Sequence, residues 1–359
     1  MTSVARWVEV HRLAVAGGEA GIAREVGGWV GRLWLARSRF ADAARLAGLT
    51  LTLGEDARAL HQLGWAKNAT GDPAAALAAY GQALRLYRAA GDRSDEAATL
   101  NNIGGVYRGL GEPQRALECF GQALPIAREV GDRVGEATTL SNIGLVYNGL
   151  GDPQRALEYY GRALPIVREM GDRVGEATTL NNIGGAYRGL GDPQRALEYC
   201  GQTLPILREV GNRAGEATAL NNIGALYRGL GDPQRALEYY GPALLIMREV
   251  GDRVGEATTL SNVGAVYEGL GDRRRALECF GQALPIRREV GDRAGEAVTR
   301  YNVAMIYRAR GELGRAVAEL ELVVELERQI SHPDLQSDTE MLRRVRQELA
   351  SSNRDQEPR

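Results

Sequence analysis

Lysine is nearly absent from this 359-residue chain: Lys67, inside WAKNAT, is the only one, although lysine and arginine together number 44. A phosphate-binding loop of the form GxxxxGK[ST] needs a lysine near its end, so no nucleotide-binding loop is present. Histidine is equally scarce. His11, His61 and His332 stand apart, and none has a second His, Cys or carboxylate at metal-ligand or triad spacing, so the sequence assigns no metal, no cofactor and no catalytic residue. Three cysteines, Cys119, Cys200 and Cys279, have no metal or redox spacing, and they read as small core residues of a protein from a reducing compartment. Long apolar runs are missing too. The opening MTSVARWVEVHRLAVAGGEA scatters charges through short apolar stretches, which excludes a secretory h-region and a membrane span and makes the cytoplasm the expected location. A net charge of -2 argues against a general nucleic-acid binder.

Repetition is what the chain has instead. From Leu100 it reads LNNIGGVYRGLGEPQRALECFGQALPIAREVGDR, and nearly the same string restarts at Leu140, Leu180, Leu220 and Leu260, a period of forty. Internal repetition on this scale means stacked units that bury their apolar faces only against neighbours, so length counts repeats and not globular cores. An apolar fraction of 44% is ample for that burial.

Each repeat divides into two predicted helices. Gly151 suits the left-handed position that ends a helix, Asp152 can cap the next, and Pro153 fits its first turn. Gly-Asp-Pro recurs at 71–73, 191–193 and 231–233, and the other junction is marked by Gly131-Asp132, Gly171-Asp172, Gly251-Asp252 and Gly291-Asp292. No segment alternates as a strand would. In the first helix, helix A, Leu140, Ile143, Gly144 and Tyr147 share a face; in the second, helix B, Ala156, Tyr160 and Ala163 do. Small residues at close approach, with Tyr147 and Tyr160 filling the space between pairs, give an alternation of holes and plugs. Arg155 and Glu158 read as a solvated surface pair. Pro125, Pro165, Pro205 and Pro285 fall inside helix B, where each removes a backbone hydrogen bond: either the helix bends outward there or it stops.

Leu140, Ile143-Gly144, Tyr147, Gly151, Ala156, Tyr160 and Ala163 together resemble the tetratricopeptide repeat, whose pattern asks for a large apolar residue, Leu-Gly, an aromatic, a turn Gly, Ala, an aromatic and Ala. The unit is forty residues instead of thirty-four, and the excess extends helix B by up to roughly 9 Å through segments such as PIVREMGDR. This longer unit is similar to those of LGN/Pins polarity adaptors, more loosely to kinesin light chains, and to arrays of bacterial NB-ARC signalling ATPases. The resemblance implies an all-α fold, a right-handed α-solenoid. Seven repeats are expected at 55–94, 95–134, 135–174, 175–214, 215–254, 255–294 and 295–334. Before them, 1–54 reads as a helical cap with a degenerate repeat near Gly21, marked by Val30-Gly31, Trp34 and Ala43. The end repeats drift, with Lys67 for Tyr in the first and with Ala304 for Gly and Leu320 for the aromatic in the last. After them, Leu335, Met341, Leu342, Val345 and Leu349 form the stripe of a capping helix, 335–350, followed by a disordered tail, 351–359.

In the tetratricopeptide architecture helix A lines a concave groove with residues one, two, five and eight places after the leading leucine. The second place holds Asn102, Asn142, Asn182, Asn222, Asn262 and Asn302, a series similar to the asparagine ladder of the glycosyltransferase that modifies serine and threonine with N-acetylglucosamine. An amide donates and accepts, so such a ladder can hold a peptide backbone whatever its side chains; alternatively, these amides satisfy backbone groups between adjacent helices. The eighth place reads Arg108, Asn148, Arg188, Arg228, Glu268 and Arg308, and four arginines there favour an acidic or phosphorylated segment. The fifth varies from Gly105 and Gly185 through Ala225 and Ala265 to Leu145 and Met305. Variation also occurs outside these places, as Ala127, Val167, Leu207, Met247 and Arg287. The carboxylate clamp for chaperone tails, which uses lysines, is lacking.

The function expected is a non-enzymatic protein-binding scaffold that holds a partner peptide or segment in the groove, with neither nucleic acid nor membrane as partner. Two other readings stay open: a sensor or autoinhibitory array of a larger bacterial signalling ATPase or protease effector, and a solenoid that self-associates through its terminal repeats.

Overall fold

The computed structural model describes residues 3–330 and 332–355, and among them every regular element is an α-helix. Two compact bodies divide between Asp172 and Arg173. The N-terminal body holds α1 (Ser3–Ala16), α2 (Ala20–Ala36), α3 (Phe40–Leu51), α4 (Ala57–Ala69), α5 (Pro73–Ala90), α6 (Arg93–Gly109), α7 (Pro113–Glu129), α8 (Arg133–Gly149) and α9 (Pro153–Glu169). The C-terminal body holds α10 (Arg173–Gly189), α11 (Pro193–Glu209), α12 (Arg213–Gly229), α13 (Pro233–Val250), α14 (Arg253–Gly269), α15 (Arg273–Glu289), α16 (Arg293–Ala309), α17 (Leu313–Ile330) and α18 (Leu335–Asp355). Within each body a helix A pairs with the helix B that follows: α4 with α5, α6 with α7 and α8 with α9 in the first, then α10 with α11 through α16 with α17 in the second. Each body is thus a stack of helix pairs, as expected of a tetratricopeptide array.

Local chemistry sets the boundaries. Gly151 has φ 75°, a left-handed conformation that costs a glycine nothing. Its N–H donates to Asn148 O and the next N–H, of Asp152, to Tyr147 O, the paired bonds of a Schellman turn. The Asp152 carboxylate then accepts from Arg155 N at 3.1 Å, with Pro153 in the first turn of α9. The other junction repeats this device, with Asp132 accepting from Gly135 N at 2.9 Å. Capping of this kind contributes about 1 kcal/mol per helix.

Packing follows the expected holes and plugs, with one correction. Tyr160 is fully buried and lies on Gly144, where a Cβ would stand 2.5 Å from its ring. Tyr147 is instead half-buried at the edge, stacked on Tyr159 at 5.5 Å with Arg155 over its other side at 5.4 Å. Arg155, four places before Tyr159, also pairs with Asp152 at 3.4 Å, so the expected bond to Glu158 is replaced by one to the cap. The last pair swaps both partners together: Ala304 faces Leu320, and both are fully buried. Cys200 takes the aromatic place in its repeat and is buried, while Cys119 and Cys279 sit half-buried beside Phe120 and Phe280.

A ladder of ion pairs joins neighbouring pairs on the helix-A N-terminal side. Glu136 is buried and receives Arg128 at 2.8 Å and Arg133 at 2.6 Å, and Arg133 continues to Glu169 at 3.0 Å. Burial alone would raise the Glu136 carboxyl; the bonds from Arg128 and Arg133 outweigh it and hold the group below its ordinary value. The same ladder runs Arg208, Glu216, Arg213, Glu249 in the C-terminal body, with Arg213 to Glu249 at 2.8 Å.

The prolines do not end helix B. Each of α7, α9, α11 and α15 continues for about one further turn past Pro125, Pro165, Pro205 and Pro285, and α13 carries Pro242 instead. Pro125 is exposed, so the carbonyl it frees meets water and the missing bond costs less than in a buried helix. At the N-terminus α2 and α3 form a further helix pair, with Val30, Trp34 and Ala43 in one cluster. At the C-terminus α18 runs on past residue 350 to Asp355, because nothing in SSNRD breaks a helix; the rest of the expected tail, 356–359, lies outside the described residues.

Candidate functional site

The face of helix A that carries the expected groove residues is half-exposed, and many of its side chains are already committed to one another. Asn142 Nδ2 donates to Asn101 Oδ1 at 3.0 Å, Asn222 Nδ2 to Asn181 Oδ1 at 3.0 Å and Asn262 Nδ2 to Asn221 Oδ1 at 3.1 Å. Each rung therefore links the second place of one helix A to the first place of the helix A before it. The partner is a side chain, not the backbone group that sequence reasoning offered as the alternative. Earlier rungs are variants: Asn102 meets His61 Nε2 at 3.0 Å, and Gln62 Nε2 donates to Gly28 O at 2.8 Å. Where Ser261 replaces Asn at the first place its hydroxyl turns to Ala257 O at 2.9 Å, too short a side chain to reach Asn302. Asn182 and Asn302 hold the same half-buried position. One amide hydrogen of a rung is spent inside the protein; its carbonyl and second hydrogen remain for a ligand.

His61 fixes its own tautomer in this network. Its Nε2 accepts from Asn102, so Nδ1 carries the proton and donates to Thr99 Oγ1 at 2.9 Å, which donates on to Asp95 O at 2.7 Å. Burial lowers the His61 pKa, opposed only by the more distant Asp95, and the ring serves as a neutral bridge.

At the eighth place the arginines separate into two groups. Arg308 is held by Glu348 of α18 through bonds of 3.0 and 2.5 Å. Arg108, Arg188 and Arg228 are exposed and carry no ion pair among the described residues, and Asn148 and Glu268 stand at the same place. Beneath them the hydroxyls of Tyr160 and Tyr240 are buried without a hydrogen-bond partner. Burial pushes both phenols up, and the positive charge of Arg108 beside Tyr160, and of Arg228 and Arg188 beside Tyr240, opposes that push. A carboxylate or phosphate approaching these arginines would meet unspent donors.

The helix-B place of Ala127, which also varies, belongs to the core: Ala127, Val167, Leu207 and Met247 are all buried, and so is Arg287, which pairs with Asp292. Three tryptophans were missed. Trp7 of α1, Trp29 of α2 and Trp65 of α4 are 45%, 43% and 46% exposed. Trp29 occupies the asparagine place of the degenerate repeat and Trp65 the fifth place of the first repeat, so counting forward from Gly27 and Leu60 would have found them. Among the described residues no cluster of His, Cys, Asp or Glu is arranged to hold a metal ion, and no helix is long and apolar enough to cross a membrane.

Tetratricopeptide repeat profiles match residues 95–169, 175–249, 216–289 and 255–329, and another matches 57–90. No curated protein matches the sequence significantly. Among solved structures, the chain is similar to BtubC (BKLC) from P. vanneervenii, at 24% identity and TM-score 0.54, over 60% of this chain and 91% of that one. It is similar to a Rap protein complexed with competence and sporulation factor, at 15% identity and TM-score 0.61, over 92% and 99% of the two chains. It is also similar to a signal transduction ATPase with a tetratricopeptide repeat sensor from Pyrococcus horikoshii, at 16% identity and TM-score 0.66, over 90% of this chain and 49% of that one. These likenesses are of fold.

Proposed function

Because the chain belongs to the tetratricopeptide repeat family, we propose that it is a binding module, without catalysis of its own, that holds a segment of another protein on the helix-A faces of its two bodies. The observation that carries this reading is the contrast among the arginines of the eighth place. Arg308 is paired with a carboxylate on α18, while Arg108, Arg188 and Arg228 have no ion pair among the described residues. An acidic or phosphorylated segment would give these three what Glu348 gives Arg308. The asparagine rungs add side-chain amide donors and acceptors for a peptide backbone beside them, so affinity is spread over several repeats. A Rap protein of similar fold is seen complexed with competence and sporulation factor, which supports this reading.

Placing a photo-reactive benzoylphenylalanine at 185 or 225, on the helix-A face, should crosslink the partner in native lysate, while the same residue at 198, exposed on helix B, should not. Equal capture from 198 would remove the assignment to this face. A sensor array within a larger signalling ATPase is the second reading, favoured by the Pyrococcus horikoshii protein, of which this chain spans about half the length. Under that reading the crosslinked segment belongs to the ATPase itself. Self-association through the last repeat meets an obstacle, since α18 already covers the buried residues of α16 and α17.

A further inference from the structure

The N-terminal body carries an uncovered aromatic and basic surface formed by α1, α2 and the start of α4. Trp7 and Val10 of α1 face Ile22 and Trp29 of α2 across an open cavity of about 650 Å³, whose rim is completed by Arg32 and Arg58. The two indoles meet edge to face, with centroids 6.0 Å apart, and all four apolar side chains are more than a third exposed. An exposed group of this size is a docking surface or an aggregation liability, and tryptophan with arginine is the composition of a binding hot spot. Sequence has made room for the cation: a Cβ at Gly28 would stand 2.8 Å from Arg58 Cδ, so the glycine leaves the channel in which the Arg58 stem lies.

Charge decides the occupant. Arg32 and Arg58 are exposed and have no ion pair among the described residues; Glu25 is the one carboxylate lining this cavity, while Asp56, Asp92 and Asp95 lie on the far side of Arg58, so Arg32 is the cation that faces the cavity without acidic neighbours. The chain shows elsewhere what satisfies such a combination. In the C-terminal body α18 lays Met341, Leu342 and Val345 on the cluster that includes Tyr301 and Met305, and its Glu348 closes on Arg308 at 2.5 Å. An apolar side chain with a carboxylate one helical turn away therefore covers apolar groups and an arginine there.

We propose that the cavity between α1 and α2 binds an acidic segment of a partner protein, with a bulky apolar side chain seated between Trp7 and Trp29 and a carboxylate on Arg32 and Arg58. It rests on the reading of the helix-A faces as protein-binding and adds an anchor at a place that reading does not use.

The full chain, with 5-fluorotryptophan at its four tryptophans, is titrated with acetyl-DELWDE-amide, acetyl-KKLWKK-amide and acetyl-DEGGDE-amide and followed by fluorine NMR. The first peptide should shift the Trp7 and Trp29 resonances saturably, at least ten-fold more tightly than either of the others, and leave buried Trp34 in place. Arg32→Glu and Arg58→Glu, both surface changes, should each weaken it several-fold, whereas Arg274→Glu, exposed on α15, should not. No shift at millimolar peptide, an equal response to the lysine peptide, or full binding by Arg58→Glu overturns the proposal. So does loss of these signals on raising protein concentration alone, which would make the occupant a second copy. Failure of the crosslinks at 185 and 225 with this titration intact would sink the broader reading alone, and the converse would sink only the anchor.

Discussion

Two adjacent glycines in α6 should respond in opposite directions to the same substitution. A Cβ on Gly104 would stand 2.6 Å from the ring of buried Phe120, while one on Gly105 would meet nothing within 4 Å. Both lie in the interior of one helix, so replacing either with Ala gains about 1 kcal/mol of helix propensity. Gly105→Ala keeps that gain. Gly104→Ala adds an overpacking cost of about 1–3 kcal/mol, because the ring is enclosed and cannot swing away. The net effect of Gly104→Ala runs from neutral to about 2 kcal/mol destabilising, and the two variants differ by the overpacking cost itself, since the propensity term cancels. Adding Phe120→Leu to Gly104→Ala should recover most of the loss, because Ala304 over Leu320 is the chain's own version of that pair. A repeat array need not unfold in one step, so amide exchange protection of α6 is the direct readout, supported by urea midpoints. If Gly104→Ala protects α6 as well as Gly105→Ala does, the hole-and-plug account of the interface is wrong.

Other consequences follow from buried charge. Since burial depresses the His61 pKa, the native state resists the proton that the unfolded chain accepts; stability is therefore full above about pH 6.5 and declines as pH falls toward the folded value. His61→Asn, the residue found at 101, should flatten that slope in urea unfolding. Glu327 behaves in the opposite sense: burial first, then Asp338 and Asp334, raise its carboxyl to about 7, so its contribution is full at acid pH and is lost as pH rises through neutrality. Exchange in α18, corrected for the intrinsic rate, should therefore quicken as pH rises from about 4.5 to about 7 and level off above it, and Glu327→Gln should remove the dependence. Arg287 is buried at a place that holds Met247 one repeat earlier, with its Nε unpartnered, so Arg287→Met should be neutral or raise stability by about 1–3 kcal/mol in thermal melts.

What the sequence made legible is what local chemistry determines. Gly151, Asp152 and Pro153 act on their own neighbours, so the helix boundaries and the pairing of Gly144 with Tyr160 could be read from one repeat. Rungs such as Asn142 to Asn101 could not, because they depend on which side chains forty residues apart come to lie side by side. Pro125 was ambiguous for the same reason: its cost depends on whether the freed carbonyl faces water. The ion ladder from Arg128 through Glu136 to Glu169 uses residues that look like ordinary solvated charges until the stack brings them together. Trp7 and Arg32 of the drifted α1 and α2 offer no strong repeat signal, and their meeting with Trp29 and with Arg58 of α4 depends on how three helices pack.

The claim that the unpaired arginines of the helix-A face select an acidic segment has a direct test. With the partner recovered by affinity purification, its affinity for the wild-type chain is compared with that for the Arg108→Glu, Arg188→Glu and Arg228→Glu triple variant by calorimetry, with Arg274→Glu, on exposed α15, as control. Charge-assisted contacts are each worth about 1.5–3 kcal/mol, so the triple variant should lose at least ten-fold in affinity while melting as the wild type does and the control binds normally. Unchanged affinity of the triple variant, or an equal loss with Arg274→Glu, would contradict the account.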